Sequence, residues 1–151
     1  MRRIARPTGN LFLDISKRND MHFIYAFFFE NGDDVHVKIG QSTRPYRRLA
    51  EIVHGSPFPV SQAVYCHIGG KLLARSFEER VRHALKDRRT RGEWYVFDKV
   101  EGRAFSAIIQ ATFTKCTGRD LKWAVIDLDS FTSEQARAAE KFLGRRGPEA
   151  A

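Results

Sequence analysis

Residues 23–40, FIYAFFFENGDDVHVKIG, contain two runs of strand-favouring residues joined by Asn31-Gly32. Asn-Gly between such runs is the strongest short-range signal for a two-residue hairpin turn of type I′, in which both central residues have positive φ. If Asn31-Gly32 forms the turn, Glu30 pairs with Asp33 and the other pairs follow by counting outward. The sequence therefore predicts a β-hairpin with a defined register.

The alternation of side chains along this hairpin predicts two different faces. One face is apolar throughout, and its predicted pairs are Phe28–Val35, Ala26–Val37 and Ile24–Ile39. The other face has the predicted pairs Phe27–His36, Tyr25–Lys38 and Phe23–Gly40. Tyrosine and lysine are ordinary cross-strand partners on a half-solvated antiparallel sheet, so this pair alone does not indicate catalysis.

The composition of the chain is that of one packed domain with a basic surface. It has 151 residues, 42% of them hydrophobic, which is enough for a single core with a small appendage. Its net charge of +8 favours a polyanionic partner, of which nucleic acid is the commonest. A soluble protein with a merely basic surface would have the same charge.

Cysteine usage and hydropathy favour a cytoplasmic protein. Cys66 and Cys116 have no metal-ligand spacing between them, which argues against a disulfide framework or a zinc ribbon. No apolar run approaches the roughly 20 residues of a membrane span. We therefore predict a cytoplasmic location and no membrane partner, and the sequence does not indicate an oligomeric state.

The order of elements predicts an α+β fold with a small antiparallel-type central sheet flanked by helices and a C-terminal strand-helix extension. After the hairpin we expect helices at Pro45–Gly55, Lys71–Lys86, 98–113 and 132–143, and strands at Val60–Ile68, 93–97 and Leu121–Leu128. The third helix has a capping-box start at Asp98–Glu101. The predicted parts are a basic N-terminal arm (1–20), a central domain (21–115) and the extension with its tail (116–151).

Four segments, taken in order, resemble motifs of the GIY-YIG endonuclease superfamily, in its compact bacterial and phage branch. They are FIY (23–25), KIG (38–40), STRPYRRL (42–49) and RGEWY (91–95). The resemblance covers Phe23 to Phe113, and the set of motifs in this order is far more specific than any one of them.

The resemblance implies a metal-dependent DNA endonuclease or nickase. Tyr25 would be the general base, Arg48 would bind the scissile phosphate, and Glu93 would bind Mg²⁺ or Mn²⁺. A phenol is a poor base at neutral pH unless a neighbouring cation lowers its pKa, and Lys38 across the hairpin, together with the metal, is placed to do so. Taken alone, Glu93 and Arg48 would each be ordinary surface residues.

The chain departs from the family pattern at several positions. Phe23 stands in place of the glycine of GIY, and Lys38 in place of the second tyrosine. Ile52 occupies the position where the family often has histidine or tyrosine, one turn after the arginine. The usual asparagine of the third helix has only Gln110 as a candidate.

Further side chains are candidates for secondary roles. Glu79 and His83 are spaced i, i+4 on the second helix, so His83 could move a proton or contact phosphate, or the two could form a surface ion pair. Trp94 could stack on bases or belong to the core. The predicted nucleic-acid contacts are Arg44, Arg47, Arg88, Arg89 and Arg91.

Two other functions are compatible with the sequence. One is a non-catalytic nucleic-acid-binding module on the same fold, which the isoleucine at position 52 would favour. The other is an unrelated basic α+β interaction protein in which the motif match is accidental. Plasmid nicking that requires Mg²⁺ would separate the nuclease from both alternatives.

Overall fold

The structure is a computed structural model that describes residues 21–131. Its strands are β1 (His22–Asn31), β2 (Asp34–Ser42), β3 (Val60–Gly69), β4 (Arg89–Arg91), β5 (Trp94–Asp98) and β6 (Ala124–Val125). Its helices are α1 (Pro45–Gly55), α2 (Lys71–Ala84) and α3 (Gly102–Thr117), with short 3₁₀ turns at Lys86–Arg88, Lys99–Glu101 and Leu128–Ser130. The predicted arm and terminal helix lie outside the described residues, and the three-part division of the chain stays a prediction.

The six strands form one sheet in the order β4-β5-β2-β1-β3-β6, and each neighbouring pair is antiparallel. This arrangement, with helices on the sheet, confirms the predicted α+β fold. No helix in the described part of the chain is both long and apolar enough to cross a bilayer.

The predicted hairpin forms, but its register was wrong by two residues. The turn is Gly32-Asp33, so Asn31 pairs with Asp34 and Tyr25 pairs with Gly40. Gly32 has φ 66°, a conformation that glycine adopts without a Cβ clash, while Asn31 continues the strand. Because side chains alternate with a period of two, a shift of two residues leaves every side chain on its predicted face.

Each face of the sheet carries a buried core, so the second face is not the half-solvated surface on which a tyrosine–lysine pair would be ordinary. The first core contains Ile24 and Ala26 of β1 together with Phe77 of α2 and Phe113 of α3. The second core contains the alternate residues of β1 and the side chains that cover them, and its buried members are Tyr25, Phe27, Phe29, Leu49, Ala63 and Ile126.

The predicted strand at Leu121–Leu128 is reduced to Ala124–Val125, which pair with β3. Asp127 ends the strand because its carboxylate caps a 3₁₀ turn by accepting a hydrogen bond from the Asp129 N–H, at 3.1 Å. Just before it, the Ile126 N–H donates to Ala63 O at 2.9 Å, and the Ile126 side chain is buried in the second core. This segment therefore closes the second core.

The helix boundaries largely follow the predicted signals. α1 begins at Pro45, which needs no N–H there. α2 ends at Ala84 rather than at Lys86, and a 3₁₀ turn follows it. The predicted capping box is confirmed: Asp98 accepts from the Glu101 N–H at 3.0 Å, and the Glu101 side chain accepts from the Asp98 N–H at 2.8 Å.

Candidate catalytic site

A tyrosine and a glycine on neighbouring strands begin the site. Tyr25 of β1 pairs with Gly40 of β2, so no side chain of β2 stands in the way of the tyrosine ring; on the other side its partner is Tyr65 of β3. A Cβ atom added to Gly40 would lie 2.5 Å from both Tyr25 Oη and Glu93 Oε1. The glycine of the KIG segment is therefore required for space, because two polar side chains meet directly above it.

Glu93 immediately precedes β5, at a corner of the sheet. β5 pairs with β2 only as far as Lys38–Trp94, and the Ile39 N–H then donates to Glu93 O at 3.0 Å. Gly92, with φ 55°, provides the tight turn that precedes Glu93. Strand β2 continues to Ser42 beyond this point, which leaves room at the corner for the Glu93 side chain.

The Tyr25 hydroxyl joins an arginine to a carboxylate. Arg48 Nε donates to Tyr25 Oη at 3.3 Å, and Tyr25 Oη donates to Glu93 Oε1 at 3.2 Å. Lys38 Nζ lies 3.8 Å from the same Glu93 oxygen. The four side chains that the sequence placed in one site therefore meet there, on the face opposite Ile24.

Access to this cluster is uneven. Tyr25 is completely buried, whereas the side chains of Lys38, Glu93 and Arg48 are 15%, 30% and 40% exposed. Solvent therefore reaches the Arg48 and Glu93 side chains directly, whereas Tyr25 is closed off from it.

Burial raises the pKa of Tyr25, and the negative charge of Glu93 raises it further. Arg48 acts in the opposite direction, through its hydrogen bond and its charge. Lys38, which we expected to lower the pKa of Tyr25 together with the metal, is directed at Glu93, and its Nζ lies 5.3 Å from the centre of the Trp94 ring. Burial lowers the pKa of Lys38 itself, although Glu93 opposes this.

A second carboxylate, which the sequence analysis did not single out, reaches the site from α2. Glu78 lies close enough to Glu93 for the two carboxylates to affect each other, and Arg82 and the Gln41 backbone act on the Glu78 pKa in the opposite direction, lowering it. Burial and the charge of Glu93 raise the pKa of Glu78 to about 7. Within the described residues, Glu78 Oε2 is buried without a donor, and a proton held between the two carboxyl groups would provide one.

The pair predicted on α2, Glu79 and His83, is exposed and makes none of these contacts. The buried stripe of α2 includes Phe77 and Val81. Each helical step turns the chain by 100°, so Glu78 lies beside that stripe and Glu79 lies on the far side. A helical wheel anchored on Phe77 would have selected Glu78.

The predicted DNA-contacting arginines fall into two groups. Arg44 and Arg47 line an open cleft of about 340 Å³, basic on balance, together with Arg48, Gln41, Ser42, Thr43 and Glu51, the last of which forms ion pairs with Arg47 and Arg48. The others follow α2 and have separate surroundings: Arg88 forms an ion pair with Glu101, Arg89 donates to Gly92 O at 2.8 Å, and Arg91 lines a second pocket. The first group adjoins the site directly through Arg48.

The paired carboxylates suit a hard divalent cation. Within residues 21–131, no group of three or more His, Cys, Asp or Glu side chains has the arrangement of a metal site. Mg²⁺ is commonly held by one or two carboxylates and keeps several waters, so Glu78 and Glu93 are a sufficient protein contribution. The Glu78 oxygen without a donor could serve as a ligand of such a cation, and the Glu78 pKa is raised first by burial and then by the charge of Glu93.

Residues 22–111 match the model of the T5orf172 domain, and the chain belongs to this family. The family is associated with endonuclease-like proteins, so membership supports a nuclease-like or DNA-binding role. No curated protein and no solved structure matches the chain.

Proposed function

We propose that this protein is a metal-dependent DNA endonuclease or nickase of the GIY-YIG type, which hydrolyses phosphodiester bonds. The observation that carries the proposal is the Tyr25 hydroxyl, held between the Arg48 guanidinium and the Glu93 carboxylate. Hydrolysis of a phosphodiester needs a group that handles a proton, a cation that binds the phosphate and a means of neutralising charge. These three side chains are suited to those tasks.

Arg48 is the phosphate ligand in this proposal. Its guanidinium is partly exposed and borders the basic cleft with Arg44 and Arg47. Its planar fork can make two hydrogen bonds to a phosphate, which a lysine cannot do. The hydrogen bond from Arg48 to Tyr25 would orient the guanidinium before substrate arrives.

Glu93 and Glu78 would hold Mg²⁺ or Mn²⁺, which when bound would supply a lowered pKa for a water molecule and charge neutralisation at the phosphate. Lys38 lies 3.8 Å from Glu93 Oε1 and would compensate part of the carboxylate charge. Position 38 holds a tyrosine in many members of the superfamily, so we assign Lys38 an electrostatic role rather than a proton-transfer role.

Tyr25 is the proton-handling group of the proposal. Its pKa is raised by burial and by Glu93, and lowered by Arg48. A bound cation would compensate the negative charge of Glu93 and so weaken its effect on the Tyr25 pKa. Arg48, which lowers that pKa, would then be less opposed, so the phenol would be a better base only when the cation is bound. Without a bound cation, the same hydroxyl would stay protonated and would hold the Arg48 and Glu93 side chains in fixed positions.

The second candidate function is nucleic-acid binding without cleavage. Complete burial of Tyr25 favours it, as does Ile52, which is half-buried in the second core where the family often has histidine or tyrosine. Binding would be dominated by phosphate contacts. For about 4–6 neutralised phosphates, the logarithm of the duplex association constant should fall with the logarithm of salt concentration at a slope of roughly −4 to −5.

The deciding experiment is cleavage of supercoiled, linear and single-stranded DNA with Mg²⁺ or Mn²⁺. We expect nicking by the wild type and a loss of about 10³-fold or more in rate for Glu93→Gln, which keeps size but removes the charge. Exposed Glu79→Gln is the matched control and should cleave at the wild-type rate. Salt-sensitive binding without nicking would establish the second candidate, and near-normal cleavage by Glu93→Gln would refute this site.

A further inference from the structure

A second pocket, on the other side of the catalytic cluster from the basic cleft, has aromatic walls. It has a volume of about 340 Å³, within the range of small-ligand sites. It is lined by His36, Gly55, Ser56, Pro57, Phe58, Thr90, Arg91 and Trp94. It opens between the turn after α1 and the strands β4 and β5.

The rings of this pocket belong to the same sheet face as the site. Lys38 pairs with Trp94 across β2 and β5, and His36 precedes Lys38 by two residues, so all three project to one side. The His36 and Phe58 rings lie 4.9 Å apart at an interplanar angle of 31°. The Trp94 ring forms one wall of the pocket. It packs against the Phe29 ring, with ring centres 5.4 Å apart, and this contact holds the Trp94 ring in place.

The pocket is continuous with the catalytic cluster. Trp94 directly follows Glu93 in the chain, and Lys38 Nζ is 5.3 Å from the Trp94 ring centre and 3.8 Å from Glu93 Oε1. The cluster thus has arginines on one side and aromatic rings on the other. A nucleic-acid strand has the same division of chemistry, with phosphates along its backbone and flat π-faces on its bases.

We propose that this pocket binds one unstacked base of the strand whose phosphate lies at the Tyr25–Glu93 cluster. Aromatic side chains with a nearby arginine are a common platform for single-stranded bases, since every base offers a π-face. Arg91 at the rim and Lys38 beneath the Trp94 ring make the surroundings cationic, which favours a nucleotide over an apolar peptide side chain. The proposal rests on the proposed function only for the position of the phosphate.

The proposal implies a preference for nucleic acid with an accessible base. A base that is paired and stacked in a duplex presents only its edges, so it must leave the stack before it can enter an aromatic pocket. Single-stranded, gapped or mismatched DNA would therefore bind more tightly than intact duplex of equal phosphate content.

The test compares two fluorescent single-stranded oligonucleotides of equal length in a buffer with EDTA, so that neither metal nor cleavage is required. One carries thymine at every position, and the other has abasic sites at the central positions. The wild type should bind the intact strand about 10-fold more tightly, as expected for one base stacked on an aromatic side chain. Phe58→Ala and Trp94→Leu should each reduce this ratio towards one.

Trp123→Leu is the matched control, because Trp123 is also half-buried but packs on the first core. It should leave the ratio unchanged, and circular dichroism should show that each variant is folded. Phe58 lies in a turn, so Phe58→Ala keeps the test valid if Trp94→Leu does not fold.

Equal affinity for the intact and abasic strands would overturn the pocket, even if the protein cleaves DNA. The proposal would also be overturned if Phe58→Ala kept the wild-type ratio of the two affinities, or if Trp123→Leu lost that ratio to the same extent. Failure of the protein to bind either strand would overturn it too. Conversely, a ratio of about 10-fold that depends on Phe58, in a protein that never cleaves, would support the pocket while the nuclease proposal failed.

Discussion

The two faces of the sheet are made from the same strands but have opposite chemistry. On one face Ile24 and Ala26 meet Phe77 and Phe113 in a core whose buried side chains are all hydrocarbon except for the Tyr95 phenol. On the other face Phe27 and its neighbours are equally well buried, yet the same strand also presents the Tyr25 hydroxyl to Arg48 and Glu93. The first face contributes stability and seats α2, the helix that carries Glu78, whereas the second face itself presents the Tyr25 hydroxyl.

The aromatic packing of the second face explains how it does both. The Tyr25 ring stacks on Phe27 with ring centres 4.4 Å apart and an interplanar angle of 11°. A buried, stacked ring has few rotamers open to it, so its hydroxyl has one location. The polar atoms lie at the corner of the sheet next to Glu93, and the buried apolar side chains behind them hold that corner rigid.

The largest expected effect lies on the apolar face. Phe77→Ala should cost about 3–5 kcal/mol in the free energy of unfolding, because Phe77 is completely buried and the cavity would have no other side chain to fill it. Urea unfolding measures this cost. Leu72→Ala, on the same helix but with Leu72 78% exposed, should change stability by no more than about 0.5 kcal/mol.

Next in size is the removal of the Tyr25 hydroxyl. Tyr25→Phe should slow cleavage by about 10²–10⁴-fold, as expected for loss of a general base, while unfolding changes by about 1 kcal/mol or less. Single-turnover cleavage and urea unfolding measure the two effects. Tyr46→Phe, in the same core, should change neither the cleavage rate nor the stability. If Tyr25→Phe instead lowers stability as much as Phe77→Ala and leaves cleavage unchanged, the assignment of reacting groups to the second face of the sheet is wrong.

Gly40→Ala should affect both stability and rate. The added Cβ would be 2.5 Å from Tyr25 Oη and Glu93 Oε1 and 2.8 Å from Tyr25 Cζ, so the stacked ring must move. We expect a loss of about 1–3 kcal/mol in stability and a slower reaction. Gly102→Ala is the control, because a Cβ there meets nothing within 4 Å; wild-type cleavage by Gly40→Ala would mean that the corner is more adaptable than its packing indicates.

The smallest effect concerns pH. The pKa of Glu78 is raised from 4.5 to about 7 in the folded protein, so the folded state holds this proton more tightly than the unfolded state. In metal-free buffer, the resulting stabilisation is complete below about pH 4.5 and is lost as the pH rises to about 7. After solvent screening we expect a change of about 1 kcal/mol. Thermal unfolding in EDTA should show this pH dependence in the wild type and Glu79→Gln but not in Glu78→Gln.

Local sequence signals predicted most of the fold and the meeting of four site residues. The alternation along β1 placed Tyr25 and Ile24 on opposite faces, and this prediction survives any register shift of two residues. The turn itself was misplaced because Asn31 and Gly32 are both suited to positive φ, and only the completed sheet selects between the two-residue loops.

What the sequence did not indicate depends on contacts between distant segments. A helical wheel separates Glu78 from Glu79, but the meeting of Glu78 with Glu93 depends on how α2 packs on the sheet through Phe77. The buried state of Tyr25 likewise requires Leu49 and Ile126, which are far from it in the chain. The rise that burial causes in the Tyr25 pKa was therefore not foreseen.

The closure of both cores by residues after position 111 limits how this domain can be recombined. The family match ends there, but Phe113 packs edge-on against Phe77 with ring centres 6.3 Å apart, and Ile126 closes the second core over Ala63. A fragment excised at the end of the match would expose apolar surface on both sides of the sheet. Any fusion or transplantation of this domain should therefore carry the chain through residue 131.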